Sequence, residues 1–117
     1  MRKEIEKYIN EHYDTLQEYP WDEYPNYTTF KNNKNHKWFV LIMDVPYKKL
    51  NIDKEGIANV INLKNIPEML GGLRKEEGIL PAYHMNKEHW ITILLDGTVP
   101  EQRIFDLIDI SYDLVAK

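Results

Sequence analysis

The sequence predicts an α+β fold, a two-layer α/β sandwich in which an antiparallel sheet carries the N- and C-terminal helices on one face. Three observations predict it. Both ends of the chain hold apolar residues at helical spacing. The middle holds strand-length segments that are apolar or alternate with period two. The connections between those segments are too short for the crossovers that parallel strands require. The predicted element order is α-β-β-β-α-β-β-α, in one domain covering residues 1–117.

The first helix is read from Ile5, Tyr8, Ile9, His12, Tyr13 and Leu16, which fall at i, i+3, i+4, i+7, i+8 and i+11. Pro20 ends it, and YPWDEYPNY, with two prolines and four aromatics, forms an ordered aromatic loop rather than a regular element. Thr28 to Lys31 is a short strand, followed by a turn at NNKN, where asparagine tolerates the left-handed backbone of a tight reversal. Lys37 to Val45, KWFVLIMDV, is apolar on both parities and reads as a central strand covered on both faces. Pro46 closes it. Ile57 to Lys64 alternates again, with Ile61 and Leu63 on one side and Asn62 and Lys64 on the other.

Asn65 and Glu68 stand at capping-box spacing around Pro67, so a second helix is expected from Pro67 to about Glu77, weakened by Gly71 and Gly72 and stopped at Gly78. A hairpin follows: Ala82 to Met85 as one strand, Asn86 to Glu88 as the turn, His89 to Leu95 as the return. Thr98 and Glu101 repeat the capping-box spacing. Ile104, Phe105, Leu107, Ile108, Ser111, Tyr112 and Val115 then form the stripe of a C-terminal helix.

Composition limits the function classes. A chain of 117 residues and 14.0 kDa buries about two thirds of the surface its unfolded form exposes, enough for a core without staples. It has no cysteine, which excludes disulfides, thiolate metal sites and a cysteine nucleophile. The opening MRKEIEKYIN is too charged for a signal peptide, and no apolar run approaches the ~20 residues of a membrane span, so a cytoplasmic protein with no membrane partner is expected. The net charge of −4 conceals a division. Residues 1–25 and 67–117 each carry −4, whereas residues 26–66 carry seven lysines against three acids, a net of +4. No phosphate loop, cofactor fingerprint or nucleophile motif is present, so no cofactor is expected.

Three pieces together resemble the MmcQ/YjbR family: the Pro20–Trp21 loop leading into a strand, VINLKNIPEML at Val60 to Leu70, and PAYHMNKEHWITILLDG at Pro81 to Gly97 continuing to LIDISYDLV. The resemblance spans nearly the whole chain. It implies a frataxin-like (CyaY-like) sandwich and non-catalytic DNA binding through two projecting β-hairpin wings. The asparagine-rich turn from Lys31 to Lys37 departs from the tighter, glycine-containing turn expected there.

Four chemistries are open on these residues. Double-stranded DNA can be held, weakly and with strong salt dependence, by Lys34, Lys37 and Lys64 with Asn86, Lys87 and His89, although lysines on turns are also simply solvated. Trp21, His84 and Trp90 are candidate walls of a small-molecule pocket. Glu4, Glu11, Asp14, Glu18, Asp22 and Glu23 offer hard oxygen ligands for a frataxin-like iron ridge, while His84 and His89 lack a third metal ligand. A histidine beside Tyr83 or Tyr112 could serve as a general base, without a nucleophile to serve.

Overall fold

The computed structural model describes residues 1–117 and contains a six-stranded antiparallel sheet of order β1-β2-β3-β4-β6-β5 with three helices. The chain runs α1 (Arg2–His12), β1 (Thr15–Glu18), β2 (Thr28–Asn32), β3 (Trp38–Pro46), a 3₁₀ turn (Tyr47–Leu50), β4 (Ile57–Lys64), α2 (Pro67–Leu73), β5 (Ile79–Pro81), β6 (Trp90–Leu94) and α3 (Glu101–Ala116). The α+β sandwich is as predicted, with one strand more than the periodicity suggested. No helix is long and apolar enough to cross a membrane.

Alternation decides which residues meet the helices. Phe30, Val40, Ile42, Ile61, Leu63, Ile91 and Ile93 face Ile5 and Ile9 of α1, Leu70 and Leu73 of α2, and Ile104, Leu107, Ile108 and Val115 of α3 in one buried cluster. Burying such a side chain contributes about 1.5–3 kcal/mol. Leu41, Met43, Val45, Ala58, Val60 and Leu94 face the other way, into a second cluster capped by the loops that carry Tyr27 and Tyr47, with Trp21, Leu80, Tyr83 and Met85 against it. One face of the sheet is thus roofed by helices and the other by loops.

Several boundaries differ from the periodic reading. The helical stripe includes Leu16, yet α1 stops at His12 and Tyr13 turns extended, because the free edge of β2 pairs with Thr15–Glu18. The Thr15 hydroxyl adds a hydrogen bond to the Lys31 carbonyl at 2.8 Å. Helix α2 ends at Leu73, short of Glu77, and neither capping box forms. Asn65 Oδ1 instead accepts from the Ile66 N–H at 2.8 Å, and the Thr98 hydroxyl donates to Asp96 Oδ1 at 2.6 Å, local bonds that take the side chains away from the helix N-terminus. Ala82 to Met85 is not a strand: β5 is Ile79–Pro81, and Ala82 to His89 is the connection to β6.

The register of β2 on β3 contains a bulge. Phe30 pairs with Val40 but Lys31 pairs with Trp38, so Phe39 is the extra residue. Both Phe39 and Val40 enter the helix-side cluster. Trp38 is thereby turned to the loop side, where simple alternation from Val40 would have sent it under the helices.

One polar link ties α3 to the sheet, and another ties it to α1. Ser111, fully buried on α3, accepts from the Lys64 N–H at 2.9 Å and donates to the Phe39 carbonyl at 2.6 Å, joining β3 to β4 through one hydroxyl. Asp109 Oδ1 accepts from the hydroxyls of both Tyr8 and Tyr13. Around it Tyr8 stacks on Phe105 at 3.9 Å and Tyr13 on Tyr112 at 4.5 Å, so α1 and α3 meet through rings.

Replacing Ser111 by Ala leaves a buried N–H and C=O unpaired and should cost about 1–3 kcal/mol in urea unfolding, without abolishing the fold. Burial, followed by the hydrogen bond to Asp109, pushes the Tyr8 phenol up to about 12. The native state then holds the phenolic proton more tightly than the unfolded chain, so this contribution is complete below the ordinary tyrosine range, near 10, and declines as pH rises from there toward about 12. Alkaline unfolding titrations of Tyr8→Phe should lose part of that slope.

Candidate nucleic-acid interface and the adjoining aromatic cleft

Antiparallel pairing fixes where the turns lie. The β2–β3 turn follows Asn32 and precedes Trp38; β4 ends at Lys64 beside Trp90, the first residue of β6. The turn 33–37, the end of β4 and the connection 82–89 therefore all emerge at the same end of the sheet. Lys34, Lys37, Asn86, Lys87 and His89 are exposed there, with Lys64 half-buried beside them. None of these lysines forms an ion pair, whereas Lys31, one residue inside the sheet, is held by Glu18 at 2.9 Å.

The first turn is built by its asparagines. Asn32 Oδ1 accepts from the N–H groups of Lys34 and Asn35 at 2.8 and 3.2 Å, and Asn35 Oδ1 accepts from Lys37 at 3.0 Å. His36 takes the left-handed backbone at φ 60 that a glycine would otherwise supply. Asn33 donates to Asp14 Oδ1 at 2.9 Å, and Asn35 donates to the Val115 carbonyl at 2.6 Å. This anchors the turn to the residues before β1 and to the end of α3.

The second turn does not project freely. Asn86 Oδ1 accepts from the Glu88 N–H at 2.7 Å, the Asn65 N–H donates to the His89 carbonyl at 2.9 Å, and Arg74 donates to the Lys87 carbonyl. Ahead of it, residues 82–85 lie back across the loop face of the sheet. Thr92 Oγ1 donates to Asn62 Oδ1 at 2.5 Å and accepts from the Tyr83 N–H at 2.8 Å, while Asn62 Nδ2 donates to the Tyr83 carbonyl at 2.8 Å. Asn62 and Thr92 are fully buried, and each side-chain polar atom of the pair is used. They hold Tyr83 and set the following residue, His84, at φ 62.

His84 stands at the rim of a cleft of about 330 Å³ on that face, walled by Trp21, Tyr24, Tyr27 and Trp38 with Met85, and floored by Leu41 and Met43. Trp21 meets Trp38 edge to face at 5.6 Å and Tyr27 at 5.9 Å, and Tyr24 stacks on Tyr27 at 4.6 Å. On the far side of His84 a more open groove runs between Lys49, Asn51, Pro81 and Lys87. A third depression between them carries Glu23 and Asp44.

Of the predicted pocket walls, Trp21 and His84 converge, but Trp90 is buried and does not line the cleft. Trp90 is the first residue of β6, paired with Lys64 at the edge of the ladder. The carboxylates named for an iron ridge are dispersed. Glu4 pairs with the N-terminus, Glu11 with Lys7, Asp14 with Asn33 and Glu18 with Lys31, while Asp22 and Glu23 lie in the aromatic loop. No three His, Asp or Glu side chains converge into a metal-binding group anywhere in the chain. Tyr112 packs with Tyr13 and Phe39 on the helix side, across the sheet from His84, so the two do not form an acid–base pair. Trp38 and Lys49 were not singled out from the sequence. Trp38 sits in an apolar run whose bulge has no sequence signature, and Lys49 in an irregular polar segment.

A family model described as YjbR matches residues 4–114. The protein from Bacillus subtilis (strain 168) named "Uncharacterized protein YyaQ" is 47% identical over 113 residues, covering 97% of this chain and 96% of that one. A crystal structure of a protein from Pseudomonas syringae superimposes with a TM-score of 0.95 at 44% identity, covering 98% of each chain. The crystal structure of Deinococcus radiodurans protein DR2400 gives a TM-score of 0.77 at 29% identity, over all of this chain and 79% of that one.

Thr92→Val keeps the shape but removes the hydroxyl that holds both Asn62 and Tyr83. Unfolding stability should fall by about 1–3 kcal/mol, and amide exchange should quicken at Tyr83 and His84 more than in β3. Unchanged exchange at those two amides would show that the loop is held by something else.

Proposed function

The chain belongs to the MmcQ/YjbR family, and from that premise we propose that it is a non-catalytic cytoplasmic protein that binds double-stranded DNA through the end of the sheet carrying both turns. The observation that carries the proposal is the shared position of Lys34, Lys37, Lys64 and Lys87, none with a carboxylate partner. Phosphate contacts supply most of the affinity of such an interface, and an ammonium already paired with a carboxylate would have to give up that partner first. Asn86 and His89 add polar groups of the kind that contact phosphates and base edges.

The net charge of −4 sets the character of the binding. Acidic flanks repel the duplex at long range, so association depends on short-range contact at the turns and weakens steeply with salt. The anchoring of 33–37 to Asp14 and Val115, and of 86–89 to Arg74 and Asn65, gives both turns a fixed spacing before DNA arrives, which lowers the ordering cost of binding.

Anisotropy titrations with a labelled duplex at low salt should show binding that Lys37→Ala and Lys87→Ala each weaken, with the dependence of log K on log salt reduced by about 1 per lysine. Lys75→Ala, an exposed lysine after α2 whose chain leads away from the turns, should leave the affinity unchanged. Equal effects at all three positions, or no binding at low salt, would refute the interface.

A further inference from the structure

Apart from Lys87, the aromatic cleft and the groove beside it have no part in duplex contact at the turns, yet they adjoin, with His84 lining both. We propose that together they bind an unpaired nucleotide, with the base against the rings of Trp21 and Trp38 and the phosphate toward Lys49 and Lys87.

Four observations carry it. First, the walls are ring faces and edges over an apolar floor of Leu41 and Met43, and a cleft of about 330 Å³ admits a flat heterocycle. Bases bind such platforms by stacking, with little regard to sequence. Second, the neighbouring groove presents Lys49 and Lys87, both exposed and neither in an ion pair, whereas Lys48 beside Lys49 is held by Glu55 at 2.7 Å. An apolar guest without charge would gain nothing from them; a flat base carrying a phosphate matches both halves. Third, Glu23 and Asp44 line the depression between, and Asp44 is fixed by Asn26 at 3.1 Å. They repel a phosphate from that side and direct it to the Lys49–Lys87 groove. Fourth, His84 is exposed and holds a left-handed backbone that ordinary side chains avoid. The buried Asn62–Thr92 pair enforces the position of the residue before it, so a polar ring with two nitrogens is kept at the junction of base and phosphate sites.

The inference deepens the nucleic-acid reading and rests on it only for the strand as a source: an unpaired base within a single strand and a free mononucleotide offer the same chemistry. The test follows tryptophan fluorescence while the protein is titrated with adenosine monophosphate, adenosine, a single-stranded oligonucleotide and its blunt duplex. Trp21 and Trp38 line the cleft, so saturable quenching by adenosine monophosphate or by the single strand is expected. Tighter binding of the strand than of the mononucleotide assigns the strand as source, and equal binding assigns the free nucleotide.

Trp21→Ala should weaken either by about tenfold or more, the loss of one stacking platform, while Lys49→Ala should weaken adenosine monophosphate and leave adenosine unaffected. His84→Gly relieves the backbone and removes the ring, so it should bind less tightly with no loss of folding stability, which separates a binding role from a structural one. Absence of saturable quenching by both ligands, or Trp21→Ala binding as tightly as the parent, overturns the site. Duplex binding that persists in that case leaves the turn interface standing; nucleotide binding without duplex binding removes the turn interface and keeps the cleft.

Discussion

Strand β3 is buried on both sides, and every other arrangement in the molecule answers to that. Val40 and Ile42 on one parity and Leu41, Met43 and Val45 on the other are all almost wholly excluded from water. A sheet with such a centre needs two covers. The chain provides only enough helix for one: α1, α2 and α3 all pack on the same side. The second cover has to be made from connections, and a roof of loops seals less well than a layer of helices because its backbone must satisfy its own polar groups as it crosses apolar ground. The aromatic cleft is the place where that roof is incomplete.

The Asn62–Thr92–Tyr83 network shows how a loop is held over an apolar surface. Two buried polar side chains in adjacent strands would be a liability if unpaired, since each lost hydrogen bond in the interior costs about 1–3 kcal/mol. Here they offer the Tyr83 backbone what a neighbouring strand would have offered. The connection between β5 and β6 can therefore leave the sheet after Pro81 and still be fixed, and its next residue, His84, is left exposed in a backbone region that ordinary side chains avoid. Strain of this kind persists only where the surroundings over-determine it.

The fold was legible because it depends on long-range averages of the sequence. Helical stripes at both ends, the doubly apolar KWFVLIMDV and the alternation around Ile61 fix the layers however the loops are drawn. The misreadings came where two periodicities overlap or a hydrogen bond decides. Leu16 suits a helix stripe and a strand equally, and the open edge of β2 settled it. Thr98 suits a cap, but its hydroxyl turns back to donate to Asp96, away from the helix N–H groups. The site was legible only in part for the same reason. The division of charge put the lysines in the middle of the chain, and antiparallel order does bring their turns together. The re-aiming of Trp38 depends on a single extra residue in one ladder, which no composition or spacing reveals. Trp90 has the loop-side parity of Thr92, yet it stands at the head of β6 beside Lys64 and is not among the residues that line the cleft, a matter of position along the strand that spacing does not reveal.

An overall negative protein with four unpaired lysines at one end of its sheet would, on the proposed reading, meet a polyanion in one direction. At a distance a polyanion is repelled by the acidic flanks; within about a Debye length, near 10 Å at moderate salt, it responds to the local lysines instead. The two anchored turns and the Lys49–Lys87 groove offer the unpaired cations, and the acidic residues closest to the cleft, Glu23 and Asp44, stand where they narrow the choice of path rather than block it. On the proposed reading, affinity comes from contact and not from attraction at range, so selectivity falls to what fits beside the lysines. In the proposed nucleotide site a flat ring against Trp21 and Trp38 is one such fit, and the bulge in β3 that turns Trp38 toward the loops is the structural feature on which it depends.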